Sequence, residues 1–261
     1  MKFTRQPAVA GTFYPADKHQ LQAMIQSYLD HTTPSGGLPK AIIAPHAGYI
    51  YSGPIAASVY ARLPQGRGQI TRVVLLGPAH RVGFRGCALS TAMWFATPMG
   101  EIPIDQEAAS TLADLPFVHK LDSPHDQEHS LEVHLPFLQA VLGSFSLVPV
   151  VVGDASPEEV AMLLDKLWGG DETLVVISSD LSHYHDYATA QRMDEATSES
   201  IVALRPEDID FEDACGRLPI SGLLLAAKQR GMKAETIDLR NSGDTAGSKD
   251  RVVGYGSYAF K

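Results

Sequence analysis

The chain has 261 residues, 44% of them hydrophobic, enough to bury a large core within one domain spanning 1–261. Its formal net charge is -9 and no run of lysines or arginines forms a basic stripe, which argues against nucleic acid and anionic membrane surfaces as partners. No stretch approaches the ~18 to 20 uninterrupted apolar residues of a membrane span, and the first residues lack the apolar centre of a signal peptide, so a cytoplasmic protein is expected.

In chain order, a helical pattern over about 17–30 leads into the apolar run KAIIAPH (40–46), then a helix over 54–63 and a second apolar run, TRVVLLGPAH (71–80). A helix over 104–114 precedes the histidine-rich stretch DQEHSLEVHLPFL (126–138). The runs SLVPVVVGD (146–154) and TLVVISSD (173–180) flank a helix over 155–168, whose start carries Ser156, Pro157, Glu158 and Glu159, the residue types that cap and charge a helix N-terminus. Helices over 188–204 and 217–231 follow, and the chain ends in two strands, AETIDLRN and RVVGYGSYAF, around the polar loop NSGDTAGSKD. Near-continuous valine and isoleucine runs suit strands covered on both faces, and their alternation with helices predicts an α/β/α sandwich on a mainly parallel, mixed sheet.

Two of the four apolar runs end alike, IIAPH at His46 and VLLGPAH at His80, each with a proline near the histidine. Ligands of open α/β sheets sit beyond the carboxyl ends of the strands, so two such histidines can converge on one point. A third run ends at Asp180, with His183 and His185 close behind. One histidine at a strand end is more often a hydrogen-bonded structural residue than a ligand; the repetition in register favours a shared site. In 126–138, His129 and His134 are five apart and point to different sides of any regular helix, so this is not the zinc-protease HExxH pattern. His129 with Glu132, or Glu128 with Glu132, can share a helix face, and Pro136 predicts a helix start or kink nearby. This stretch reads equally as a second pocket wall or as an amphipathic helix burying Leu131, Leu135 and Leu138. Gly48 is expected to permit a tight turn beside His46, with Tyr49 and Tyr51 as pocket walls or packing residues. Nucleotide-binding glycine motifs and the GxSxG elbow are absent.

PHAGYIYSG, GPAH, EHSLEVHLPF, SSDLSH and CGRLPI occur in this order, between AGTFYPAD and the terminal VGYGSYAF. On these motifs the chain resembles the Memo family, whose bacterial and archaeal members are called AmmeMemoRadiSam system protein B. That family is similar in fold to the class III extradiol dioxygenases. The resemblance implies His46, His80 and Cys215 as metal ligands, with Cys215 where the dioxygenases bring a glutamate. It implies Asp180 and His183 beside the metal, His183 as the acid/base residue, and His129, Glu132 and His134 as residues lining the cleft. It leaves Cys87 as a small core residue.

Two imidazoles and a thiolate suit Fe(II), and also Zn(II) or copper, and three protein ligands leave a coordination position for water or substrate. Thiolate ligation makes metal affinity fall as pH drops. The expected function is a non-haem iron oxidoreductase acting on a small organic substrate. The alternatives are zinc-dependent hydrolysis and a partner role beside AMME-type and radical SAM proteins.

Overall fold

The computed structural model describes residues 3–261. Its centre is four parallel strands in the order Ala41–Ala44, Thr173–Ser178, Arg72–Pro78, Ser146–Val152. Cys87–Leu89 pairs antiparallel with 146–152 and parallel with Val118–Lys120 beyond it. On the other side Val252–Phe260 runs antiparallel to 41–44 and pairs with Ala234–Asn241 and His183–His185. A separate three-stranded sheet joins Thr4–Arg5, Trp94–Thr97 and Gly100–Pro103.

Period-two alternation of strand side chains divides the core into two layers, as the near-continuous apolar runs require. Ile42, Val73, Leu75, Leu147 and Val176 face one layer, covered by the helices Lys18–Asp30, Tyr49–Tyr60 and Leu135–Leu142. Ile43, Val74, Leu76, Val150 and Ile177 face the other, covered by Pro157–Leu167 and Arg217–Gln229. A helix at Tyr187–Val202 packs on the antiparallel side of the sheet, placing Ile201 in this second layer. The expected α/β sandwich is therefore present, on a mixed sheet whose centre is parallel and whose flanks bring four antiparallel pairings.

Local signals set most helix starts. Asp17 accepts a hydrogen bond from the Gln20 N–H, and Ser156 and Glu159 form a reciprocal capping box at the helix of 157–167. The helix expected over 54–63 instead begins at Tyr49 and runs through Pro54, forgoing one backbone hydrogen bond. Gly48 precedes it with an ordinary negative φ, and a Cβ there would make only van der Waals contact with the Phe13 carbonyl, so the expected tight glycine turn is corrected: this position does not require glycine. Helix 104–114 contracts to Gln106–Ser110. Pro136 does mark a helix start, at Leu135, preceded by a 3-10 turn at Glu132–His134.

Candidate metal centre

His46 and His80 stand just beyond the carboxyl ends of the two strands that flank 173–178 in one sheet, with ring centroids 5.1 Å apart. Cys215 arrives from the loop before the helix of 217–229, and its Sγ lies 3.3 Å from His46 Nε2. One donor atom from each of His46, His80 and Cys215 falls within 4.8 Å of the other two. Two donors at about 2.0 and 2.3 Å from one tetrahedral ion are roughly 3.5 Å apart, close to the nitrogen–sulfur separation found here.

The orientation of both imidazoles follows from their other nitrogen. The Ser178 hydroxyl donates to the Ser130 carbonyl at 2.5 Å, so at its 2.6 Å contact with His46 Nδ1 it must accept. The proton therefore sits on Nδ1 and the Nε2 lone pair faces the cluster. His80 Nδ1 is 2.8 Å from Glu128 Oε1, and Glu128 also accepts from the backbone N–H groups of His80, His129 and Ser130. Those donors, with the neighbouring imidazole, outweigh burial and hold the Glu128 carboxyl down at about 2, so it is an acceptor and His80 presents Nε2. Carboxylate–imidazole pairs of this kind fix tautomer and ring direction in metal sites. Glu128, the residue that orients His80, was legible in the sequence only as a helix-face neighbour of Glu132.

Cys215 is clamped against Asp180: the Asp180 N–H points at Sγ at 3.3 Å and the Cys215 N–H donates to the Asp180 carbonyl. Gly216 permits this approach, because a Cβ there would lie 2.6 Å from the Ser178 carbonyl oxygen. Burial, reinforced by the Asp180 charge, pushes the thiol up to about 12. A cation beside it supplies the charge a thiolate needs, so the donor set fits a metal. Asp180 is buried, which raises its carboxyl to about 7 even though the His46 N–H donates to it at 2.7 Å. Burial and its histidine neighbours hold His46 well below the usual imidazole range.

His46 and His80 open on a cleft of about 680 Å³ whose lining includes His129, His183, Asp180, Phe13, Tyr51 and Tyr255, while Cys215 approaches from behind it. His129 stacks on His80 at 4.6 Å, and burial lowers it to about 4, leaving it neutral at pH 7. His183 is likewise lowered by burial, with the nearby Leu181 carbonyl acting in the opposite sense.

The other three expected cleft residues turn away from it. Glu132 is buried and ties down the N-terminal segment, accepting from Ala8 N, Val9 N and Tyr14 Oη and pairing with Arg5. His134 is buried on the core side, with Nδ1 2.8 Å from Tyr60 Oη. Tyr49 packs on Phe137 and donates to the Val133 carbonyl. For Glu132 and His134 the cause is the 3-10 turn at 132–134, which carries them inward with Leu131 and Leu135, while His129, before the turn, faces out. Cys87 is a fully buried strand residue, its thiol pushed up to about 12 by burial.

A family model described as "Memo-like protein" matches residues 5–259. Curated relatives named MEMO1 family protein include those of Aeropyrum pernix, 38% identical with 96% of this chain and 97% of the relative covered, and Ignicoccus hospitalis, 37% with 98% of each. The relative from Aquifex aeolicus is 36% identical, covering 96% of this chain and 97% of its own. Among solved structures, the crystal structure of uncharacterized protein JW3007 from Escherichia coli K12 is similar in fold, with a TM-score of 0.50 at 14% identity over 84% of this chain and 99% of that one. By motif order, matched length and identity, the chain belongs to the Memo family.

Proposed function

We propose that this protein is a metal-dependent, dioxygenase-like oxidoreductase acting on a small organic molecule, with Fe(II) held by His46, His80 and Cys215. The observation that carries this reading is the convergence of two oriented imidazoles and a thiol, within 4.8 Å, where the two imidazoles line an open cleft with aromatic walls. When bound, Fe(II) supplies a redox-active Lewis acid with coordination positions left open. Ser178 and Glu128 hold the imidazoles in the tautomer that ligation needs. His183, held below the usual imidazole range by burial, accepts a proton from the substrate. Asp180, whose carboxyl titrates near neutrality, holds the His46 backbone in place and is a proton store beside the cluster.

The decisive experiment supplies Fe(II), O2 and a panel of catechols and follows oxygen uptake. Uptake is expected, and His183→Ala should reduce its rate by about 10² to 10⁴, the usual contribution of a positioned acid/base group. Absence of uptake with every catechol overturns the dioxygenase reading. A second reading, zinc-dependent hydrolysis with Asp180 or His183 as base, draws on the same thiol, which suits Zn(II) equally. Stoichiometric zinc in protein purified without added metal, with no redox response, would favour it.

A further inference from the structure

Above the metal cluster, the mouth of the cleft carries a feature that metal ligation does not use. The strand His183–His185 pairs with Val252–Val253 through a register break, leaving Tyr184 as the extra residue between two paired histidines. Tyr184 has φ 63, a left-handed conformation rarely adopted by a bulky aromatic residue and one that marks stored strain. The bulge turns its ring outward, where it is 64% exposed. Arg251, immediately before the paired segment of the partner strand, places its guanidinium carbon 5.3 Å from that ring's centroid. Tyr184 and Arg251 both line the cleft that contains His46, His80 and His183.

Among the described residues, no carboxylate pairs with Arg251, in a chain where acidic groups outnumber basic ones by 30 to 21. Other arginines here do find acidic partners, among them Arg5, Arg62, Arg72 and Arg240. Arg81, directly after His80, adds a second positive charge beside His129. A stacked guanidinium keeps its donor edge free and in a fixed plane, which matches the two oxygens of a carboxylate. The walls around it, Phe13, Tyr51 and Tyr255, suit a flat ring.

We propose that Arg251, braced on Tyr184, is the residue that selects a carboxylate-bearing aromatic ligand and orients it with its ring end toward the His46–His80–Cys215 cluster. This rests on the reading of the cleft as a small-molecule site, and it names the class of molecule that site takes. It does not depend on which metal is bound or on whether the metal is redox-active.

The test is equilibrium binding, measured anaerobically by calorimetry on the full-length protein at the metal content it carries as purified. The probes are 4-hydroxyphenylacetate and its neutral primary amide, which share shape but not charge. Wild-type protein should bind the carboxylate at least about tenfold more tightly than the amide, the scale of a charge-assisted bidentate contact. Arg251→Gln should remove that preference by weakening the carboxylate while leaving amide affinity unchanged, and Arg251→Lys should retain part of it. Both variants lie on the surface, and unchanged circular dichroism would confirm that they fold. Equal affinity of wild type for the two probes, or an equal loss of both in Arg251→Gln, overturns the proposal. Because turnover is not read, failure of the oxidoreductase reading leaves this result standing, and the reverse also holds.

Discussion

Glu128 shows how a single carboxylate shapes the site. Four donors converge on it, and one is the Nδ1–H of a candidate ligand. Glu128→Gln keeps the volume but replaces one acceptor oxygen with a donor nitrogen, so His80 loses its fixed tautomer. Metal affinity, measured by competition with a chelator, is expected to fall 10- to 100-fold, the range seen when an orienting partner is removed. Unchanged affinity would show that His80 orients itself. Glu132, the neighbour that seemed the better cleft residue in the sequence, instead fastens the N-terminal segment through Arg5 and Tyr14. The two glutamates are four residues apart and both buried, yet Glu128 meets His80 while Glu132, in the 3-10 turn that follows Leu131, meets the N-terminal segment.

At the scale of elements, the helices 157–167 and 217–229 cross at Gly222. A Cβ there would lie 2.3 Å from Val160 Cγ1, well inside van der Waals contact. On an exposed helix face, Gly→Ala stabilises by up to ~1 kcal/mol through propensity. Here overpacking should win: Gly222→Ala is expected to destabilise by about 1–3 kcal/mol, read as a lower urea midpoint with an unchanged slope. A midpoint that rises would show that the helices move apart freely. The long strands and capped helices were legible because each carries an unbroken apolar run or a cap. The short strands 87–89, 94–97, 100–103 and 118–120 were not, since three or four residues hold too little periodicity to read. Tyr49–Tyr60 begins five residues before the expected start at 54 and carries Pro54 in its interior, where packing on the sheet tolerates it.

Across the whole molecule, buried imidazoles dominate the acid side of the stability curve. Burial lowers His134 to about 3, His125 and His129 to about 4, and moves His46 and His183 in the same direction. A base whose folded pKa is depressed gives stability that is intact above its unfolded value near 6.5 and is lost as pH falls toward the folded value. Asp180 and Asp194, raised to about 7 and about 6, act in the opposite sense, stabilising the fold as they protonate. The histidines outnumber them, so Tm should fall steadily from pH 6.5 to pH 4. His134→Gln, which removes one buried imidazole remote from the cluster, should flatten that slope. A slope identical to wild type would place the sensitivity elsewhere. No helix among the described residues is long and apolar enough to cross a membrane.

The sequence by itself determined the layering and the address of the site. Apolar runs that are buried on both faces dictate a covered parallel sheet, and a histidine at the end of each of two such runs falls where open sheets hold their ligands. Cys215 entered through motif resemblance, since a cysteine 135 residues after His80 has no spacing rule that ties it to either histidine. Tertiary structure decided the rest. It brought Cys215 to His46 through the glycine-sized gap at Gly216, assigned the imidazole protons through Ser178 and Glu128, turned Glu132, His134 and Tyr49 into the core, and set Arg251 over Tyr184. Each of these depends on contacts between segments far apart in the chain, where local periodicity and capping carry no information.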